Sequence, residues 1–151
     1  MRTSFRNTFL VLLLASACGP DPRDAFVGNW QLAGTTTSDL MVKGQRQNRT
    51  TPSTPGVYSF SASASSPSEV VWNTSGCDWS AEVTSEQSFT VNRNVCPPST
   101  GSCVLTITIT QGSGTRTGAN LAFHARGDVV GNCGADPVTG TVAYELTGSK
   151  E

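Results

Sequence analysis

Residues 103–110, Cys103-Val104-Leu105-Thr106-Ile107-Thr108-Ile109-Thr110, alternate without a break. Leu105, Ile107 and Ile109 fall on one face; Thr106, Thr108 and Thr110 fall on the other. An extended chain turns successive side chains to opposite sides. Strict alternation of apolar and hydroxyl residues therefore marks a strand with one buried face.

The same period of two recurs on both sides of this stretch. Cys77, Trp79, Ala81 and Val83 alternate with Asp78, Ser80, Glu82 and Thr84, and Leu121, Phe123 and Ala125 alternate with Ala122, His124 and Arg126. Phe26, Gly28, Trp30 and Leu32 share a face near the start, and Tyr58, Phe60, Ala62 and Ala64 share another. Val70 with Trp72, Phe89 with Val91, and Val142 with Tyr144 and Leu146 mark further short strands, and residues 39–43 read as one more. Turns are expected at Ser65–Ser68, Asn73–Gly76 and Ser85-Glu86. Residues 44–56, 111–118 and 131–140 are expected to be a polar loop, a Gly-rich connection and a loop around Cys133. Cys96-Pro97-Pro98 ends a strand, because proline cannot donate into a central ladder.

Eight or nine short strands at spacings of about 8–12 residues, with turns between them, predict an all-β domain. The expected architecture is an antiparallel up-and-down meander closing barrel-like, with a β-sandwich as the alternative. Phe26, Trp30, Tyr58, Phe60, Trp79, Phe89 and Phe123 are the bulky inward candidates, and they are expected to fill a small barrel completely.

The first residues have a different character. Arg2 and Arg6 precede a short apolar run, Phe9 to Ala15, and the small residues Ala15-Ser16-Ala17 precede Cys18. This is the layout of a cleaved export signal over 1–17, and the apolar run is far below the roughly 20 residues that span a bilayer. Residues 18–25, with Pro20 and Pro22, read as a short tether without regular structure, and 26–151 as one domain. The chain has five cysteines. An exported protein with an odd count needs a separate use for one of them, and four remain for two disulfides. Three pairings are possible; Cys77–Cys96 and Cys103–Cys133 are favoured, because each pair brackets hairpin ends.

Small residues followed by Cys18 resemble the lipobox of bacterial lipoproteins, although Leu14 stands four places before the cysteine and Ala15 occupies the usual leucine position. The resemblance implies a diacylglyceryl group on the Cys18 sulfur and a palmitate-type acyl chain on its new amino group. Such an anchor places the domain at the bacterial cell envelope, with the outer membrane preferred because Gly19, not Asp, follows Cys18. Ala15-Ser16-Ala17 also fits an ordinary signal-peptidase site, which leaves a free thiol at the same residue. Phe26-Val27-Gly28-Asn29-Trp30 resembles the opening of the calycins, the lipocalins and fatty-acid-binding proteins, through Gly28 and Trp30. That likeness implies an up-and-down barrel whose tryptophan plugs the closed end. Lys150 is the basic residue available to lie across the indole. The Arg-x-Tyr pair with which fatty-acid-binding proteins hold a carboxylate is replaced by Val142-Ala143-Tyr144. The whole layout is also similar to small bacterial lipoproteins.

Composition narrows function further. Without Arg2 and Arg6, 8 basic side chains face 11 acidic ones, so the mature domain is mildly acidic at about −3 and is not built to grip nucleic acid. The single histidine, His124, sits on an exposed strand face. No nucleophile elbow, cofactor motif or set of three or four convergent metal ligands is present in the sequence. Glu82 and Glu86 read as surface charges, and Arg126-Gly127-Asp128 as strand residues around a glycine. The expected function is a non-enzymatic, lipid-anchored binding or interaction module without a cofactor. The alternatives are a carrier of a small apolar ligand in the barrel interior, or an inhibitor of an envelope hydrolase.

Overall fold

A computed structural model describes residues 19–74 and 76–151; the signal segment 1–17, Cys18 and Ser75 lie outside the described residues. A 3-10 turn at Pro22–Ala25 leads into nine strands: β1 Gly28–Val42, β2 Gln45–Ala62, β3 Glu69–Thr74, β4 Cys77–Ser85, β5 Ser88–Val91, β6 Asn94–Val95, β7 Cys103–Thr117, β8 Asn120–Cys133 and β9 Asp136–Lys150. They form one antiparallel sheet in the order β5-β4-β3-β2-β1-β9-β8-β7-β6, and the pairing of β5 with β7 closes a ring of hydrogen bonds through eight strands. The expected meander is therefore present and closes on itself, so the sandwich alternative does not apply.

β5 and β6 act as one interrupted strand. Ser88 faces Thr115 and Val95 faces Thr108, seven residues further along both chains, so the register against β7 is unchanged across the break. The ring is also lopsided. β2, β1, β9, β8 and β7 are each 14–18 residues long and stand side by side as a tall wall, whereas β3 to β6 have 9 residues or fewer. At about 3.4 Å per residue, the wall rises well above the short side.

Residues fill the lower half densely. Phe26 and Trp30 are fully buried, with Leu32, Phe89, Val70 and Leu121 around them. The Trp30 indole Nε1 donates to the Phe26 carbonyl at 2.7 Å, and the Lys150 ammonium lies 5.7 Å from the Trp30 ring centroid. Phe26 meets Phe89 edge to face at 5.1 Å. This cluster is the floor of the ring.

Five sequence expectations are corrected. Residues 44–56 are not a loop, and 39–43 are not a separate strand. β1 runs unbroken to Val42, Lys43 and Gly44 turn with φ of 53° and 72°, and β2 pairs back with β1 from Gln45 onward. Two consecutive positive φ values are the signature of a tight two-residue hairpin turn. This part of the hairpin lies above the short strands and is solvated, so backbone pairing holds it without an apolar face. Of residues 111–118, all but Gly118 are likewise strand, paired with β8 up to Thr117. A Cβ at Gly114 would sit 2.1 Å from the Phe89 ring, so the glycine makes room for a core aromatic rather than for a turn. Residues 131–140 contain only a tight turn at Gly134-Ala135, between Cys133 paired with Asp136. Of the apolar face 58–64, Phe60 is buried but Ala62 and Ala64 are exposed, because β2 ends at Ala62.

The tether is not wholly irregular either. Asp21 caps the 3-10 turn by accepting from the Arg23 backbone N–H at 2.9 Å, and its carboxylate pairs with the Arg23 guanidinium at 2.6 Å. Arg23 in turn donates to the Ser66 carbonyl at 3.0 Å, docking residues 21–25 on the β2–β3 connection. Proline at the first position of a helical turn removes an N–H that has no partner there anyway, so Pro22 starts this turn rather than breaking it.

Candidate functional site

The sheet is sealed at the floor and parts above it. β2 pairs with β3 only through Ser61 and Ala62. Above that point a side-chain stack replaces the backbone ladder: Phe60 and Trp72 lie 4.6 Å apart at 20°. The seam opens onto a cavity of about 580 Å³. The expected filled interior is thus corrected. The bulky residues do point inward, but they crowd the floor, while the tall wall lifts a space above them.

Leu32, Phe60, Trp72, Trp79, Phe123 and Leu146 form the deep part of this cup, and Tyr58 and Tyr144 flank it. The aromatics brace one another: Trp72 stacks on Trp79 at 5.7 Å, and Phe123 meets both indoles edge-on at 5.9 and 6.0 Å. Such arrangements suit the ring quadrupoles and hold the walls in fixed rotamers. Thr36, Ser53 and Thr74 add hydroxyl residues to its lining. Among the described residues, no charged side chain lines the cup. Two polar features remain inside. The Trp79 indole Nε1 is buried and has no hydrogen-bond partner among the described residues. Burial pushes the Tyr144 phenol above its ordinary pKa, and the nearby Tyr58 adds to the shift.

The raised Tyr144 value has a measurable sign. The folded state favours the protonated phenol, so its contribution to stability is complete below the ordinary tyrosine range, near pH 10, and is lost as pH rises through the folded value. Tyr58 and Tyr144 are the only tyrosines. In Tyr58→Phe, absorbance at 295 nm is therefore expected to report a single phenol ionising above the value of the urea-unfolded chain. A midpoint at or below the unfolded one would count against a buried Tyr144.

Disulfides define the rim. Cys77 pairs with Cys96, and Cys103 pairs with Cys133. The intervening rim segment, 96–103, is thus fastened at both ends. Pro97, Pro98, Ser99 and Thr100 from it line the cup. Ser99 shapes it: the Leu105 N–H donates to the Ser99 hydroxyl at 2.9 Å, and that hydroxyl donates to the Cys103 carbonyl at 3.0 Å. Removing the first bridge in Cys77→Ala/Cys96→Ala is expected to cost about 3 kcal/mol, because the denatured chain regains the freedom of a 19-residue separation. Urea unfolding, with the oxidised parent as reference, measures it.

The other sequence candidates lie apart from the cup. Gly28 and Trp30 stand at the floor, where β1 begins. His124 is exposed on β8, with the Ser113 hydroxyl 3.4 Å from Nε2. Glu82 and Glu86 are exposed, as are Arg126 and Asp128, while Gly127 lies beneath the Thr108 carbonyl of β7. Arg46, from the stretch read as a loop, pairs with Asp39 across the first hairpin. Cys18 lies outside the described residues. Among the described residues, no group of three His, Cys, Asp or Glu side chains is placed to hold a metal, and no helix is long and apolar enough to cross a membrane.

The sequence pointed to the interior only through the carrier alternative, and the favoured expectation was a filled core. Sequence reasoning marked Trp72 and Tyr144 as strand residues only, and it passed over Thr36 and Ser53. The available signal was a set of hydroxyl residues at inward positions, where a filled core carries apolar ones. No family model and no curated protein matches this sequence.

Proposed function

We propose that this protein is a non-enzymatic binding module of the bacterial cell envelope, held by lipid on Cys18, that takes a small, largely apolar molecule into its cup. The observation that carries the reading is the cavity of about 580 Å³, walled by aromatic rings and, among the described residues, free of charged side chains. Ligand sites of this kind range from about 300 to 1,000 Å³, with mostly apolar walls and a few placed polar groups. The braced aromatics supply a preformed shape, so little ordering entropy is lost on binding. Two disulfides fit an oxidising compartment, where small exported domains use them to supplement a limited core. The signal-like segment and Cys18 support the envelope and the anchor.

Native mass spectrometry of the domain, cut from host membranes within residues 19–21, tests the reading. The expected spectrum carries a reproducible extra mass of small-molecule size on a chain four hydrogens lighter than the reduced form. A bare mass from gently handled material, together with no thermal shift from apolar compounds, would overturn it. A peptide from the same preparation carrying acyl chains on Cys18 tests the anchor separately.

A further inference from the structure

The short side of the ring contains a piece that the rest of the sheet does not hold. β3 and β4 pair with each other as far as Thr74 and Cys77, but their outer ladders stop lower down. On one side β2 reaches β3 only up to Val71. On the other, β5 reaches β4 only up to Ala81, with one further bond from the Asn92 N–H to the Ser80 carbonyl at 2.9 Å. Residues 72–74 and 76–79 thus belong to a hairpin end whose ladder is to itself alone. Trp72 and Trp79 pair across it, and both line the cup. Ring packing holds this end from inside: Trp72 against Phe60, and both indoles against Phe123. Towards β6, the links among the described residues are the Asn94 side-chain amide, which donates to the Asp78 carbonyl, and the Cys77–Cys96 disulfide. The Cys96 N–H is bonded to the Ile107 carbonyl at 2.8 Å, so the disulfide ties the hairpin end to the tall wall. Cys103–Cys133 does no such thing, because it joins β7 and β8, which are paired along their length anyway.

We infer that the end of the β3–β4 hairpin is a gate on the cup and that Cys77–Cys96 is its redox latch. This rests on the preceding reading of the cup as a small-molecule site. Closed, the latch keeps both tryptophans on the cavity and retains the ligand. Opened, it leaves the hairpin end to ring packing and one side-chain hydrogen bond, which local unfolding breaks far more readily than a covalent bond. A dithiol reductant opens it by exchange. One thiolate attacks a sulfur of the bridge, and the second thiol resolves the mixed disulfide. Two electrons and two protons end on Cys77 and Cys96, and the reductant leaves as its own disulfide. Opening is expected to weaken binding about tenfold. Linkage makes the effect reciprocal: saturating ligand lowers the reduction potential of the latch by about 30 mV, the two-electron equivalent of that factor.

The uncharged apolar dye N-phenyl-1-naphthylamine is the probe, and its release into excess cyclodextrin is followed by stopped-flow fluorescence. Cys103→Ala/Cys133→Ala keeps only the latch. Oxidised, this variant is expected to release the dye within about twofold of the parent rate. Dithiothreitol is expected to speed its release about tenfold, and reoxidation to restore it. Cys77→Ala/Cys96→Ala is expected to release the dye at the fast rate without reductant. Hydrogen exchange separates a gate from a bridge that merely stabilises. On opening, amides of residues 72–74 and 76–80 are expected to lose protection while those of β1 and β9 keep theirs. Uniform loss, or none, would overturn the gate. Unchanged release of bound dye would also overturn the gate and leave the small-molecule reading standing. If the dye does not bind but the native mass carries a ligand, the exchange pattern alone decides for or against the gate. No dye binding together with a bare native mass would overturn both.

Discussion

Replacing Trp30 with alanine is expected to destabilise the protein by about 3–5 kcal/mol, the usual cost of deleting a large core aromatic. The residue is fully buried, and three other things depend on it. Its N–H satisfies the Phe26 carbonyl, its ring carries the Lys150 ammonium, and its bulk supports the docked turn ahead of β1. Truncation leaves a cavity at the floor and an acceptor without its donor at once. Trp30→Phe separates the two effects, since it retains most of the volume and loses the hydrogen bond; about 1–2 kcal/mol is expected. Urea unfolding followed by far-UV circular dichroism measures both variants. A loss below about 1 kcal/mol for Trp30→Ala, with an unchanged denaturant slope, would mean that the floor does not hold the ring together.

Gly148→Ala is expected to cost about 3 kcal/mol, although it adds a single methyl group. A Cβ on Gly148 would lie 1.8 Å from the Gln31 carbonyl oxygen and 2.9 Å from the Leu32 Cα. Both are backbone atoms of β1, paired directly with β9 at this point, and neither can swing aside as a side chain can. Relief requires the two strands to separate, which opens the ring at one of its longest seams. Gly118→Ala is the informative contrast. That glycine has a φ of 61° in the β7–β8 turn and open space around its Cα. Its substitution costs only the left-handed backbone, about 1–2 kcal/mol. In a chain of this size, thermal midpoints are expected to fall by roughly 6–12 °C for Gly148→Ala and 2–8 °C for Gly118→Ala. Equal shifts would show that the β1–β9 seam relaxes more easily than its geometry implies.

The sequence was most readable where one face of a strand is dry. Residues 77–84 and 121–126 alternate because the floor buries every second side chain, and the burial follows the alternation. It was least readable where neither face is dry. Residues 45–56 have no apolar period to show, because that length of β2 stands above the short strands and is held to β1 through backbone pairing. Glycine misled at 112 and 114, where it makes room for the His124 carbonyl and for the Phe89 ring rather than for a turn. The favoured cysteine pairs are the ones the structure makes, since hairpin ends that approach in the sequence pattern also approach in space. The cup could not be read from residue types. Its volume comes from unequal strand lengths around the ring and from a seam that parts above Ser61, and neither is written in a local period.

The floor also gathers the two ends of the domain. The turn at Pro22–Ala25 enters there, and the Glu151 N–H donates to the Asn29 carbonyl at 2.9 Å beside it. The mouth of the cup is the seam that parts above Ser61, on the side away from that floor. A lipid on Cys18, as proposed, then acts as a mooring line tied to the keel, and the mouth looks into the aqueous compartment and not at the bilayer. Cargo would be exchanged with dissolved molecules or passing proteins, without extraction from the membrane that holds the protein. A reporter fused after Glu151 would hang on the same side as the anchor and leave the mouth unobstructed.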